Sequence, residues 1–231
     1  MIKYDFFLVF LLAHLIGDFA FQTGKIASLK SKCIKGVFIH SCLVTVVQAV
    51  MLSFYGVAGV LCGLAAGCIH FLIDYIKLLT NKYSKNKSFI FFVIDQAAHL
   101  SVIFFFSYAI RIGTNLPPNY VPYVEILISI IIVAFTANVA VMTLIRDFSH
   151  FEPGQNFFKK FERLAQASIA LILWAVFFLP CGWAIILCIT AFIFYNVLQI
   201  KFFKGKLFEA TLQYIFFILV VIILHTAFQY R

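Results

Sequence analysis

Charge is scarce in this chain. Only 12% of its residues are Asp, Glu, Lys or Arg, against about a quarter in an ordinary soluble domain. Acidic side chains are the rarer sign, 9 against 18 basic ones. Proline occupies only 5 positions and glycine 11, so few residues interrupt the apolar runs. The 6 cysteines show no CxxC and no Cys/His zinc spacing, which leaves no basis for a disulfide framework or a structural zinc module. Cys42, Cys62, Cys68 and Cys188 fall inside apolar runs and behave there as small hydrophobes. The chain has neither a G-x-S-x-G nucleophile elbow nor a P-loop, which argues against a serine hydrolase and a nucleotide-driven pump. It shows no convincing internal repeat.

What is present is apolar: 64% of the residues, with 30 phenylalanines. Apolar runs recur from Phe6 to Phe228. A hydrocarbon core of about 30 Å takes roughly 20 apolar residues per helix. The expected fold is therefore all-α: a polytopic helical membrane protein of about eight transmembrane helices, with little chain left for a soluble domain. The first run, Phe6 to Phe21, follows Lys3 as a signal peptide would, but it carries His14 and Asp18 and no small-x-small cleavage site follows. It reads as a retained helix.

The predicted helices span 4–22, 36–55, 57–80, 89–111, 121–144, 161–179, 182–200 and 207–228. Gly56 separates the second from the third, Pro180 and Gly182 the sixth from the seventh, and Pro117, Pro118 and Pro122 mark the approach to the fifth. Two four-helix halves, 1–112 and 113–231, are expected, as separate halves or as one continuous bundle. The net charge of +9 is first a matter of topology, and no nucleic acid is expected as a partner. Lys25, Lys30, Lys32 and Lys35 fill the first loop, Lys77, Lys82, Lys85 and Lys87 the third, Arg146, Lys159, Lys160 and Arg163 the fifth, and Lys201, Lys204 and Lys206 the seventh. Even-numbered loops carry almost no basic residue. By the positive-inside rule the odd loops are cytoplasmic and both termini lie outside. Tyr55, Tyr108, Tyr120, Tyr123, Trp174 and Trp183 fall near the outer ends, where amphipathic rings favour the interface. The fifth loop, 147–161, interleaves Phe and Lys and reads as a connector lying on the inner surface or a lid over a site.

Ionisable residues within a membrane are costly and rare, and by default they are functional. Seven occur in the first four helices: His14, Asp18, His40, His70, Asp74, Asp95 and His99. Three pairs are spaced i, i+4, which places an imidazole and a carboxylate on one helix face. At 1.5 Å per residue, Asp18, His40 and Asp74 lie about 6 Å from their cytoplasmic helix ends, Asp95 about 9 Å, His14 and His70 about 12 Å, and His99 about 15 Å. The helices alternate in direction, yet Asp is always nearer the cytoplasm and His deeper. Neutral imidazoles and carboxylates are ligands for Zn, Mn or Fe. Seven exceed what one tetrahedral zinc requires, so either some serve as supports behind the ligands or two ions are held. Interhelical hydrogen bonding alone would also use such residues. Gln22, Thr23, Lys77 and Gln96 flank the cluster. Asn138, Gln166, Asn196 and Gln213 lie deep enough to line a cavity, and Arg146, Asp147, Glu162, Arg163, Gln199, Lys201 and Glu209 fall at cytoplasmic ends. His150 and His225 receive no role.

The run His14-Leu-Ile-Gly-Asp18-Phe-Ala-Phe-Gln22-Thr23, then His40, His70-Phe-Leu-Ile-Asp74-Tyr-Ile-Lys77 and Asp95-Gln96-Ala-Ala-His99 resembles a bacterial inner-membrane family known as domain of unknown function 3307. The resemblance covers roughly residues 1–105. The later Glu162-Arg163-Leu, Lys201 and Glu209 resemble longer members more loosely. The resemblance implies a multi-pass protein of the bacterial inner membrane and brings no substrate.

The expected function is that of an intramembrane metal-dependent hydrolase acting on a lipid or amphipathic substrate from the cytoplasmic leaflet. His14, His40, His70 and His99 are the expected ligands, helped by Asp18, Asp74 and Asp95, with Zn first and Mn or Fe next, as one or two ions. The metal would generate hydroxide, and an Asp not bound to it would act as general base. Gln22, Gln96 and Lys77 would orient substrate or steady negative charge. The alternatives are a divalent-cation or proton transporter or channel, and a non-catalytic scaffold or sensor whose basic loops dock an acidic partner or anionic lipid.

Overall fold

The computed structural model describes residues 3–80, 88–110 and 115–136, together with separate helical positions between 139 and 147 and between 215 and 226. All described elements are helical, and no strand occurs among the described residues. They are α1 (Tyr4–Leu15), α2 (Gly24–Lys30), α3 (Ile34–Leu52), α4 (Gly56–Thr80), α5 (Ser88–Ala109) and α6 (Val121–Ile131). The predicted sixth, seventh and eighth helices and the 147–161 loop lie essentially outside the described residues. So do Asn138, Arg146, His150, Glu162, Arg163, Gln166, Asn196, Gln199, Lys201, Glu209, Gln213 and His225.

Among the described residues, two helical stretches, Ile34–Thr80 and Ser88–Ala109, are long and apolar enough to cross a membrane. A third counts if the bent pair Tyr4–Ala20 and Gly24–Lys30 is one span. The first stretch is folded back on itself. Gly59 meets Leu52, Gly63 meets Ala49 and Gln48, and Gly67 meets Thr45, the register of two antiparallel helices. Gly56 makes the reversal at φ 73° and ψ -162°, a positive-φ region open essentially to glycine alone. The three later glycines let the α3 and α4 backbones approach closely, as small residues do between membrane helices. A Cβ on Gly63 would stand 2.8 Å from the Ala49 backbone nitrogen.

The expected first helix, 4–22, is corrected in its second half. The α-helical pattern stops at Leu15, a π-helical turn spans Ile16–Ala20, and the chain then bends by 91° into α2. Thr23 begins α2 as its N-cap, its Oγ1 accepting from the Ile26 amide at 3.3 Å. The first predicted loop thus contains a seven-residue helix. Its C-terminal end packs so tightly on α3 that a Cβ at Gly36 would strike the backbone of Leu29 and Lys30.

At the end of the bundle carrying the α1 N-terminus, Phe6, Val9, Phe10, Leu52, Tyr55, Cys62, Ala66 and Ile103 form an apolar core. Phe6 packs edge-on against Tyr55 at 5.0 Å and Phe10 at 5.7 Å between ring centroids. Asp5 fastens this end by accepting from the Leu116 amide at 2.7 Å and the Tyr55 hydroxyl at 3.4 Å. The opposite pattern holds on the helix exteriors. Val50, Val57, Leu61, Ile76, Ile94 and Phe105 are exposed, whereas the His and Asp side chains are buried. Apolar surface outside and ionisable groups inside suit a lipid solvent. The chain divides into two compact units, Met1–Ile128 and Ser129–Arg231.

Candidate metal centre

All seven ionisable residues of the first four predicted helices come together, none more than 6% exposed. Each helix contributes from a fixed face. In α1 and its π-turn, Gly17 lies against Val44, where a Cβ would come within 2.9 Å of the Val44 Cα. That close approach sets Asp18 beside His40, one helical turn before Val44. The π-turn is itself a feature often found at functional positions. In α4, His70 and Asp74 face inward together, as do Asp95 and His99 in α5, as the i, i+4 spacing requires.

The tightest group is four atoms from three elements. Asp18 Oδ1 lies 2.9 Å from His40 Nε2, which lies 3.3 Å from His70 Nε2. His70 Nε2 is 3.1 Å from Asp74 Oδ2, and His40 Nε2 is 3.6 Å from the same oxygen. Protons alone serve this arrangement poorly. If each imidazole donates its Nε2 hydrogen to its own carboxylate, the two N–H groups face one another across 3.3 Å. Two groups of three could hold a metal ion: Asp18, His40 and His70, and then His70, Asp74 and His99, with ligand atoms within 4.8 Å of one another. His14 and Asp95 lie outside these two groups. His14 approaches Asp18 Oδ2 at 3.9 Å, and His99 lies 3.7 Å from Asp95 Oδ1 and 3.8 Å from Asp74 Oδ1. The His70 and His99 rings stack at 4.2 Å, and His14 sits against both.

The carboxylates form one layer with the cations. Lys77 Nζ donates to Asp95 Oδ2 at 2.6 Å, so its partner is on α5 and not Asp74 three residues earlier. Gln96 donates to Asp18 Oδ2 at 3.3 Å and Asp95 Oδ2 at 3.2 Å, tying two helices together. Gln22 sits half-buried in the bend before α2. Lys30 was counted in the sequence only as a topological charge. Its Nζ lies 2.8 Å from Asp74 Oδ2 and 3.5 Å from Asp18 Oδ1. The 91° bend delivers it there, and nothing in a lysine-rich loop marks one lysine as the inward one. On the other side of the imidazoles a cavity of about 10 Å³ is lined by His14, Gln48, Ala66, His70, His99, Val102 and Ile103, room for about one water-sized species. Gln48 is 2% exposed, and its Oε1 has no partner. The spacing His40, Val44, Gln48, Leu52, all buried, carries the signal for it.

The family model described as a protein of unknown function, DUF3307, matches residues 6–127. The chain belongs to this family. The match takes in all seven His and Asp residues of the cluster, together with Lys30, Gln48, Lys77 and Gln96, and stops one residue short of the end of the first compact unit. DUF3307 membership brings no assigned chemistry, so the reading of the site rests on its geometry. No curated protein and no solved structure gives a significant match.

Proposed function

We propose that the chain is a metal-dependent hydrolase of the bacterial inner membrane, acting on a lipid or amphipathic substrate that enters from the cytoplasmic leaflet. The proposal includes eight transmembrane helices with both termini outside. The observation that carries it is the quartet Asp18 Oδ1, His40 Nε2, His70 Nε2 and Asp74 Oδ2, whose contacts run from 2.9 to 3.6 Å. Ligands on a tetrahedral zinc with bonds of about 2.0–2.1 Å stand about 3.3 Å apart. The His40 and His70 nitrogens, with a carboxylate oxygen beside each, would be satisfied together by one divalent cation, for which Asp18, His40 and His70 already form a group of suitable size. Zinc suits the donor set best, with Mn or Fe next.

A metal held there by His40, His70 and their carboxylates would supply hydroxide at neutral pH. Lys77 and Gln96 hold Asp95 beside the donor set, where its carboxylate would help to hold the metal or its water. Lys30, Lys77 and Gln96 are donors on the same side and would meet negative charge developing on the substrate. The apolar core from Phe6 to Ile103 supports an enzyme over a transporter, because among the described residues it offers ions no polar route past the cluster toward the α1 N-terminus.

Protein purified in detergent without chelator is expected to contain zinc, manganese or iron by elemental analysis. His40→Ala and His70→Ala should each lose it. Membrane lipids incubated with metal-loaded protein should yield a cleaved product by mass spectrometry, and the His70→Ala protein should yield none. Absence of bound metal overturns the reading. Metal-dependent cation uptake into sealed vesicles, with no lipid product, would replace the enzyme with a transporter.

A further inference from the structure

The quartet leaves a second set of donors unused. His14 Nε2, His99 Nε2, Asp74 Oδ1 and Asp95 Oδ1 are buried and have no hydrogen-bond partner. His99 Nε2 faces Asp74 Oδ1 at 3.8 Å and Asp95 Oδ1 at 3.7 Å, gaps too wide for hydrogen bonds, and the His14 ring lies against the His99 ring with centroids 5.1 Å apart. Leaving several such groups bare in a buried place costs about 1–3 kcal/mol each, so an occupant between them is called for. His14 and His99 also line the cavity beyond the quartet, with Gln48 Oε1 unpartnered on its wall.

Two carboxylates divide their oxygens between the two sets. Asp74 Oδ2 faces His40 and His70, and its Oδ1 faces His99. Asp18 Oδ1 faces His40, and its Oδ2 faces His14 at 3.9 Å. A carboxylate with one oxygen in each of two donor sets is a bridge. We propose that the cluster holds two divalent cations, one on His40 and His70 and the other on His14, His99 and Asp95, bridged by Asp74 and Asp18. This deepens the metal-dependent reading and rests on it. The arrangement accounts for all seven residues, which one tetrahedral ion does not.

Charge then indicates the substrate class. Three carboxylates, two divalent ions, a bridging hydroxide and the ammonium groups of Lys30 and Lys77 sum to a surplus of about two positive charges, counted at full ionisation. A site of that sign takes an anion. Paired metals about 3.5–4 Å apart clamp both the attacking and the leaving oxygen of an in-line displacement. The substrate class is therefore a phosphate ester, carried on an amphipathic molecule. Water adds to phosphorus, the ester oxygen leaves with the proton taken from that water, and no redox partner is needed.

The test is stoichiometry in the full-length protein reconstituted with manganese. Two ions per chain with an exchange-coupled Mn–Mn signal in electron paramagnetic resonance are expected. His14→Ala and His99→Ala should each bind one ion with an uncoupled signal, and His99→Gln serves if the alanine variant does not fold. A single uncoupled ion in the unaltered protein overturns the two-ion inference and leaves the metal-dependent reading standing. No ion at all overturns both. Inorganic phosphate should perturb the coupled signal, and its failure to do so at saturating concentration would overturn the substrate class alone.

Discussion

At the scale of single residues, the cluster was legible because the cost of burying charge in lipid makes each ionisable residue informative. His14 with Asp18, His70 with Asp74 and Asp95 with His99 announced their shared faces by spacing alone. Lys30 did not, because it reaches Asp74 through a bend that no helical periodicity encodes. Its burial beside that carboxylate leads to a prediction. Removing one partner of a buried ion pair costs about 3–5 kcal/mol, because the remaining charge is uncompensated. Lys30→Met should therefore lower the melting temperature of metal-free protein markedly. On the proposed reading, metal held there would neutralise Asp18 and Asp74 and should restore most of the loss, so thermal melts with and without metal check it. Gln96 contacts Asp18 and Asp95 through their carboxylate oxygens. Partners of this kind typically contribute 10–100-fold to metal affinity. Gln96→Ala should weaken metal binding by about that factor without abolishing it, as titration against a competing chelator would show.

At the scale of elements, the long helices were legible from their apolar runs. The α3–α4 reversal at Gly56 and the α5 span fell within a few residues of expectation. The failure was at Ile16–Ala20. Hydrophobic character continues through Phe21, so composition gives no cue that the hydrogen-bond pattern changes there. Asp18 and Gly17 occupy that turn because α1 must meet Val44 closely, a tertiary demand. The four-residue spacing of Gly59, Gly63 and Gly67 does signal the tight hairpin, since small residues permit close backbone approach. Gly63→Leu should force α3 and α4 apart. Overpacking costs about 1–3 kcal/mol, and because α3 carries His40 and α4 carries His70, metal affinity should fall along with thermal stability. A variant that loses stability yet keeps unaltered affinity would show that the hairpin does not set the donor spacing.

At the scale of the whole molecule, composition makes helices apolar enough to cross a membrane legible, and Ile34–Thr80 and Ser88–Ala109 are of that kind. Many Val, Leu, Ile and Phe side chains lie exposed while the cluster's His and Asp side chains are buried, which suits such a setting. Topology is a matter of loop charge, and it makes a separate prediction. Reporter fusions at residues 1 and 231 should both report the outer side, and cysteines introduced at 82–87 should react only from the cytoplasm. The family match and the first compact unit nearly coincide, at 6–127 and Met1–Ile128. A fragment of residues 1–128 inserted in membranes should accordingly retain metal, measured by elemental analysis of the purified fragment.

The Phe6–Tyr55 aromatic seal, fastened by Asp5, has a kinetic consequence. Among the described residues it closes the polar interior at the α1 N-terminal end, as the floor of a well. In an enzyme built this way nothing passes through: whatever is cleaved must back out by the mouth through which the uncut molecule came. The polar fragment of the reaction should then compete directly with fresh substrate, turnover should stall as that fragment accumulates, and the rate should be indifferent to the voltage across the bilayer.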